Sequence, residues 1–166
     1  MASKVEIKLN TTDVSRESNY GIIHTQWNKA VVQILLENTK KELISQGVAA
    51  DNINCTEVPG AFELPYAAKK MIQQGNLDVI LALGAIIKGE TYHFELIANS
   101  CSYGLTKVSL ESNKPILFGV LTTNTEAEAL VRADPEKGNK GAEVARTAMF
   151  MLEQLSLNEW KKNISN

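Results

Sequence analysis

The sequence predicts an α/β protein: a three-layer sandwich with a central, mainly parallel four-stranded sheet and helices on both faces. Two observations carry this expectation. Short apolar runs alternate along the chain with segments of helical periodicity about 12–20 residues long. The run Val79–Ile87 is apolar at consecutive positions, so both of its faces are buried, as in the middle of a parallel sheet. Strand–helix–strand order then implies right-handed crossovers and helices above and below the sheet.

Each element follows from its residues. Val5, Ile7 and Leu9 alternate with Lys4, Glu6 and Lys8, the period of a half-exposed strand. The polar stretch from Asn10 to Asn19 reads as a loop. Tyr20–Thr25 is a short strand, and Asn28 stands where a helix N-cap belongs. Val32, Leu35, Leu36 and Leu43 then recur at helical spacing up to Gly47. Asn54–Val58 is a strand stopped by Pro59-Gly60, and a helix runs from Glu63 to Gln74. After Val79–Ile87, Lys88–Thr91 is a turn and a long helix spans about Tyr92 to Glu111, broken at Lys114-Pro115. Ile116–Leu121 is the last clear strand, followed by a helix from Thr125 to Ala133. Asp134–Gly141 is the most loop-like stretch, and Ala145, Ala148, Met149, Leu152 and Leu155 form one apolar stripe on a final helix. No linker or repeat divides residues 1–166, which read as one domain with an N-terminal strand and loop (1–19) and a polar tail (156–166).

Composition removes whole classes of function. Of the 166 residues, 44% are hydrophobic, too many for disorder. A net charge of −2 leaves no basic excess for a nucleic-acid backbone. The longest apolar run falls far short of the roughly 20 residues that a membrane helix needs. Cys55 and Cys101 form no C-x-x-C pair and read as two buried small side chains in a reducing compartment. No metal-ligand spacing is present. The start of the chain has no apolar secretory core, which places the protein in the cytoplasm, with a removed organelle leader as the alternative.

In a parallel α/β sheet, ligands bind beyond the carboxyl ends of the strands. The unusual residues fall there. Trp27, between Gln26 and Asn28, is either a stacking platform for a planar ligand or a rim residue packed on a helix. In Pro59–Glu63, Ala61 lets a ligand approach the backbone; Glu63 either accepts hydroxyl hydrogen bonds or complements a helix dipole. Gly89-Glu90-Thr91 lies between a strand and a helix start, where free N–H groups and a hydroxyl suit a phosphate monoester. It is no P-loop, because the lysine precedes the glycine. His93, two residues on, is placed for proton transfer near that anion, whereas His24 sits inside a strand and reads as structural. Arg132 and Lys140 flank a loop and are either phosphate clamps or surface charges.

Five ordered blocks make the chain resemble the lumazine synthase family. They are Gly21-Ile22-Ile23-x-x-x-Trp27-Asn28, Val58–Glu63, Leu83–Phe94 with its Lys88-Gly89-Glu90-Thr91-x-His93 core, Pro115–Thr123, and Gly138–Gly141. The resemblance covers Tyr20 to about Leu155. It implies condensation of 5-amino-6-(D-ribitylamino)pyrimidinedione with 3,4-dihydroxy-2-butanone 4-phosphate to 6,7-dimethyl-8-ribityllumazine, with loss of phosphate and water. This is the penultimate step of riboflavin synthesis, without metal or organic cofactor. It further implies that Trp27 stacks on the pyrimidine, with Asn28 beside it. Ala61, Phe62 and Glu63 hold the ribityl chain. Ala85, Ile86 and Ile87 read the ring edge through their backbone, Gly89, Glu90 and Thr91 bind phosphate, and His93 transfers protons. Phe118, Arg132 and Lys140 come from an adjacent subunit, so the active site lies between copies of the chain. The family forms pentamers, and in some members twelve pentamers close into an icosahedral 60-mer. The short Arg132–Gly141 connection favours the shell. The alternatives are a non-catalytic flavin- or pterin-binding module and a container protein on the same scaffold. Three departures stand out: Gln26 replaces an arginine common in the family, Trp27 a phenylalanine, and Asp134-Pro135-Glu136-Lys137 the usual small, glycine-containing loop, which bears on the phosphate clamp and on assembly.

Overall fold

The structure, a computed structural model, describes residues 9 and 11–155. Four parallel strands form the sheet: β1 (Tyr20–Thr25), β2 (Ile53–Val58), β3 (Val79–Ile87) and β4 (Ile116–Thr123), in the order β2-β1-β3-β4. The helices are α1 (Asp13–Glu17), α2 (Lys29–Ser45), α3 (Leu64–Gln74), α4 (His93–Ser112), α5 (Glu126–Ala133) and α6 (Lys140–Gln154).

The two-residue alternation of β3 divides the core. Val79, Leu81, Leu83 and Ala85 point into one layer with Val31, Leu35 and Leu43 of α2, Ala129 of α5, and Ala145 and Met149 of α6. Ile80, Ala82 and Ile86 point into the other with Leu64 and Ala68 of α3 and Cys101 and Leu105 of α4. The layers are therefore α2/α5/α6, sheet, and α3/α4. Close helix approach fixes the first layer. A Cβ on Gly141 would lie 2.4 Å from the Leu35 carbonyl oxygen, so α6 packs directly on the α2 backbone there. Thr39 Oγ1 donates to the Gly141 carbonyl at 3.0 Å, and Arg146 forks onto Glu42 at 2.8 and 3.2 Å.

Four expectations need correction. The polar stretch Asn10–Asn19 holds a helix, α1, capped by the Thr12 hydroxyl; Ser15 within it is buried and its carbonyl accepts the Tyr20 hydroxyl at 2.6 Å. Cys55 is exposed, because β2 is an edge strand left largely uncovered; only Cys101 is buried, and burial raises its thiol to about 11. Gly141 belongs to α6 rather than to the preceding loop. Leu155 is exposed past the end of α6, so the apolar stripe stops at Leu152. The expected strand Val5–Leu9, apart from Leu9, and the polar tail lie outside the described residues; Leu9 packs against the core. No helix among the described residues is long and apolar enough to cross a membrane.

Candidate active site

The strand order reverses between β1 and β3, and the crevice beyond their carboxyl ends is where such a sheet binds ligands. Trp27 rises from that point. Gln26 N–H donates to the Val58 carbonyl at 2.9 Å and Trp27 N–H to Pro59 at 3.2 Å, extending the β1–β2 pairing past both strands. The indole is 63% exposed. It rests against Gly60, where a Cβ would meet indole atoms Cε3 and Cζ3 at 2.8 and 2.9 Å. This is a shelf supported from one side, not a core residue.

Gly60 also organises Glu63. Its N–H donates to Glu63 Oε2 at 3.0 Å, which holds the carboxylate at the start of a single 3₁₀ turn, Ala61–Glu63, ahead of α3. Ala61 is buried, while Phe62 is 60% exposed next to it.

Asn28 departs from expectation. It occupies the cap position of α2 but caps nothing with its side chain; it lies in the left-handed region (φ 58°, ψ 42°). Its Nδ2 donates instead to the Ala85 carbonyl at 2.7 Å. The pairing of β1 with β3 ends at His24↔Leu83, so Gly84–Ile87 run on beyond it. Alternation directs the backbone groups of Ala85 and Ile87 toward the same open side, while Lys88 N–H turns to Thr123 of β4. Ile86 is buried on the α3/α4 face.

The turn after β3 is open. A Cβ added to Gly89 would meet nothing within 4 Å, and Glu90, Thr91 and His93 are exposed. His93 begins α4, a 20-residue helix whose start has no side-chain cap, so its first N–H groups face outward. Lys88 Nζ lies 3.5 Å from Glu95 Oε1, tying the turn to the helix; Glu95 Oε2 is buried without a hydrogen-bond partner among the described residues.

Phe118, Arg132 and Lys140 gather elsewhere. With Thr122, Glu143 and Val144 they line a cleft of about 250 Å³ beside β4, which none of Trp27, Glu63 or His93 touches. Phe118 stands opposite Ala82, three residues short of Ala85, about 10 Å back along the strand. Lys140 Nζ donates to both carboxylate oxygens of Glu143 at 2.7 Å. The Asp134–Lys137 segment is ordered by an Asx turn: Asp134 accepts from Glu136 N–H at 2.9 Å, and that bond, then Lys137, holds its carboxyl below the usual range.

His24 is largely buried, with Nδ1 3.8 Å from Glu57 Oε1. Glu57 Oε2 accepts from Gln26 Nε2 at 2.9 Å. Sequence reading missed this brace and the Lys88–Glu95 pair, which span 31 and 7 positions. The Lys140–Glu143 pair was visible in principle from its i, i+3 spacing on a helix.

An aromatic shelf, a strand end with open backbone groups and an uncapped helix start meet beyond the carboxyl ends of β1 and β3, the place where α/β enzymes take small-molecule ligands. Comparison with known proteins gives that class a family. Residues 17–156 match the family model described as 6,7-dimethyl-8-ribityllumazine synthase. The 6,7-dimethyl-8-ribityllumazine synthase of Cytophaga hutchinsonii is 42% identical over 135 residues, 81% of this chain and 85% of that protein. That of Protochlamydia amoebophila is 42% identical over 144 residues, 85% of this chain and 84% of its own. The chain belongs to the 6,7-dimethyl-8-ribityllumazine synthase family. It is an enzyme of riboflavin synthesis that condenses the ribitylaminopyrimidinedione with the butanone phosphate.

Proposed function

We propose that this condensation takes place in a site completed by a second copy of the chain. The carrying observation is the separation of two half-sites on one subunit. Among the described residues, the only lysine in the turn beside Trp27, Glu63, Ile87 and His93 is Lys88, already paired with Glu95, and the cleft of Phe118, Arg132 and Lys140 is lined by no tryptophan or histidine. Each offers what the other needs.

In this reading the pyrimidinedione stacks on Trp27, and the backbone of Ala85 and Ile87 reads its polar edge. Ala61 and Phe62 flank the ribityl chain. Glu63, with Oε2 fixed by Gly60, turns its other oxygen to the ribityl hydroxyls. The phosphate sits on Gly89, Glu90 and Thr91 at the start of α4, whose dipole favours the anion. Arg132 of the neighbouring copy closes on it, Lys140 stands nearby, and Phe118 covers the ring. The 5-amino group attacks the ketone and water leaves, giving an imine. His93 then relays the protons that accompany phosphate loss, tautomerisation of the resulting enol to a ketone, and ring closure, in which the ribitylamino nitrogen attacks that ketone and a second water leaves. Holding two reactants in register is worth roughly 7–11 kcal/mol, against about 10²–10⁴-fold for acid–base help, so orientation outweighs the histidine.

Assembly is part of the proposal. Leu96, Tyr103 and Leu110 on α4 are 55%, 71% and 78% exposed at two-turn spacing, an apolar stripe suited to packing against copies of itself. Among the described residues no strand pairs with the outer edge of β2, which suits an added strand. Both support self-association, and the short Arg132–Gly141 connection favours pentamers joined into a 60-mer shell. Two unbridged cysteines fit a cytoplasmic setting.

Subunit mixing tests the shared site. Trp27→Ala and Arg132→Ala proteins, each impaired alone, are unfolded and co-assembled in equal amounts. About a quarter of the interfaces then carry both intact halves, and activity returns to about that fraction. No recovery from a correctly assembled mixture refutes the two-copy site.

A further inference from the structure

The loop that carries Trp27 is fastened on both sides. Toward β2, three bonds hold it: Gln26 N–H to Val58, Trp27 N–H to Pro59, and Gln26 Nε2 to Glu57. Toward β3, Asn28 Nδ2 donates to the Ala85 carbonyl at 2.7 Å, where the β1–β3 ladder has already stopped at His24↔Leu83. One side-chain amide thus takes the place of the next backbone rung.

We infer that Asn28 is a positioning residue: its bond to Ala85 sets the gap between the Trp27 shelf and the end of β3, the slot that receives the ring. This rests on the reading of Trp27 as the ring platform. Two features separate the role from ordinary capping. The residue stands at the N-cap of α2, and its carbonyl accepts from Val31 and Val32 N–H, yet its side chain makes no cap hydrogen bond. Its left-handed backbone alone needs no amide, since glycine adopts it more easily. What asparagine adds is the donor aimed at Ala85. The same bond takes one of the two lone pairs of that carbonyl, so at the strand end the Ile87 backbone carries the larger share of recognition. Without it the loop stays pinned to β2 and is released from β3, so the shelf shifts against the edge it faces.

Two variants isolate the bond. Asn28→Gly keeps the backbone conformation and deletes the amide. Asn28→Asp keeps the shape and deletes the donor. Steady-state kinetics of the assembled enzyme, with each substrate varied in turn and Trp27→Ala alongside, read the effect. Loss of one hydrogen bond predicts about a fivefold rise in KM for the aminopyrimidine in both variants. KM for the butanone phosphate and the unfolding temperature of Asn28→Gly stay at wild-type values. If both variants keep the aminopyrimidine KM while Trp27→Ala raises it, Asn28 positions nothing and the inference falls, whatever happens to stability. If Trp27→Ala itself leaves that KM unchanged, the platform reading fails, and this inference with it.

Discussion

Gly60→Ala separates support of the shelf from stability of the fold. Gly60 is extended (φ −148°, ψ −178°), a conformation open to alanine, so the backbone is not strained. The new methyl would lie 2.8 Å from Trp27 Cε3, 2.9 Å from Cζ3 and 3.2 Å from Glu63 Oε2. Carbon atoms rest at about 3.5–4.0 Å, so the indole edge must retreat by about 0.7–1.2 Å. It is free to do so, because the ring is mostly exposed. Stability should therefore change by less than about 1 kcal/mol. Catalysis has less tolerance, since a displacement of about 1 Å at a reacting pair can cost about 100-fold. A ten- to hundredfold fall in kcat/KM, about 1.4–2.7 kcal/mol, is expected, led by KM for the aminopyrimidine. Lumazine fluorescence gives the rates and thermal unfolding the stability. Wild-type kinetics in Gly60→Ala would show that the indole does not face the ring, and the account of the crevice would have to be abandoned.

Other outcomes follow from the same geometry. His93→Ala should slow turnover by about 10²–10⁴-fold without abolishing it; complete loss in a folded, assembled enzyme would reverse the ranking of orientation over proton transfer. Gly141→Ala gains about 1 kcal/mol of helix propensity, but its methyl meets the Leu35 carbonyl at 2.4 Å, so a net loss of about 1–3 kcal/mol is expected in urea unfolding, and equal stability would contradict the α2–α6 approach. Burial holds the His24 imidazole below its ordinary value of 6.5, with Glu57 opposing and Lys40 adding to the shift. The unfolded chain then takes up the proton first, so stability declines as pH drops from about 6.5 toward the folded value; His24→Gln should flatten that decline in denaturation midpoints, and an unchanged slope would assign it to other groups.

The fold was legible where a residue's neighbours along the chain decide its fate. Val79–Ile87 is bounded as expected because a strand buried on both faces has no polar position to blur its ends. Asn10–Asn19 was misread because α1 buries a serine and uses its carbonyl, an interaction with no apolar signature. Cys55 was misread because exposure of β2 depends on what fails to cover it. The site divides in the same way. Trp27 and Glu63 stood out by their places just after strands. The Asn28–Ala85 bond joins positions 57 apart and has no trace in either neighbourhood. Nor did spacing reveal that Phe118, Arg132 and Lys140 form a group of their own, since that grouping is made by the packing of α5 and α6 against β4.

At the opposite end of the sheet from the crevice, α1 packs on α6 just ahead of the start of β1. Its holds are polar: the Tyr20 hydroxyl on Ser15, and Glu153 of α6 receiving the Thr12 N–H at 2.8 Å and the Thr12 hydroxyl at 2.5 Å. Burial, reinforced by Glu153 and Asp78, raises the Tyr20 phenol well above its usual range, so it remains a donor at any working pH. The helix is thus a latch between the two termini of the described chain. Damage there would be recorded in how long the enzyme survives, by opening of the last turn of α6, while the rate per surviving molecule stayed the same. Endurance and turnover are lodged at opposite ends of one sheet and can be altered separately.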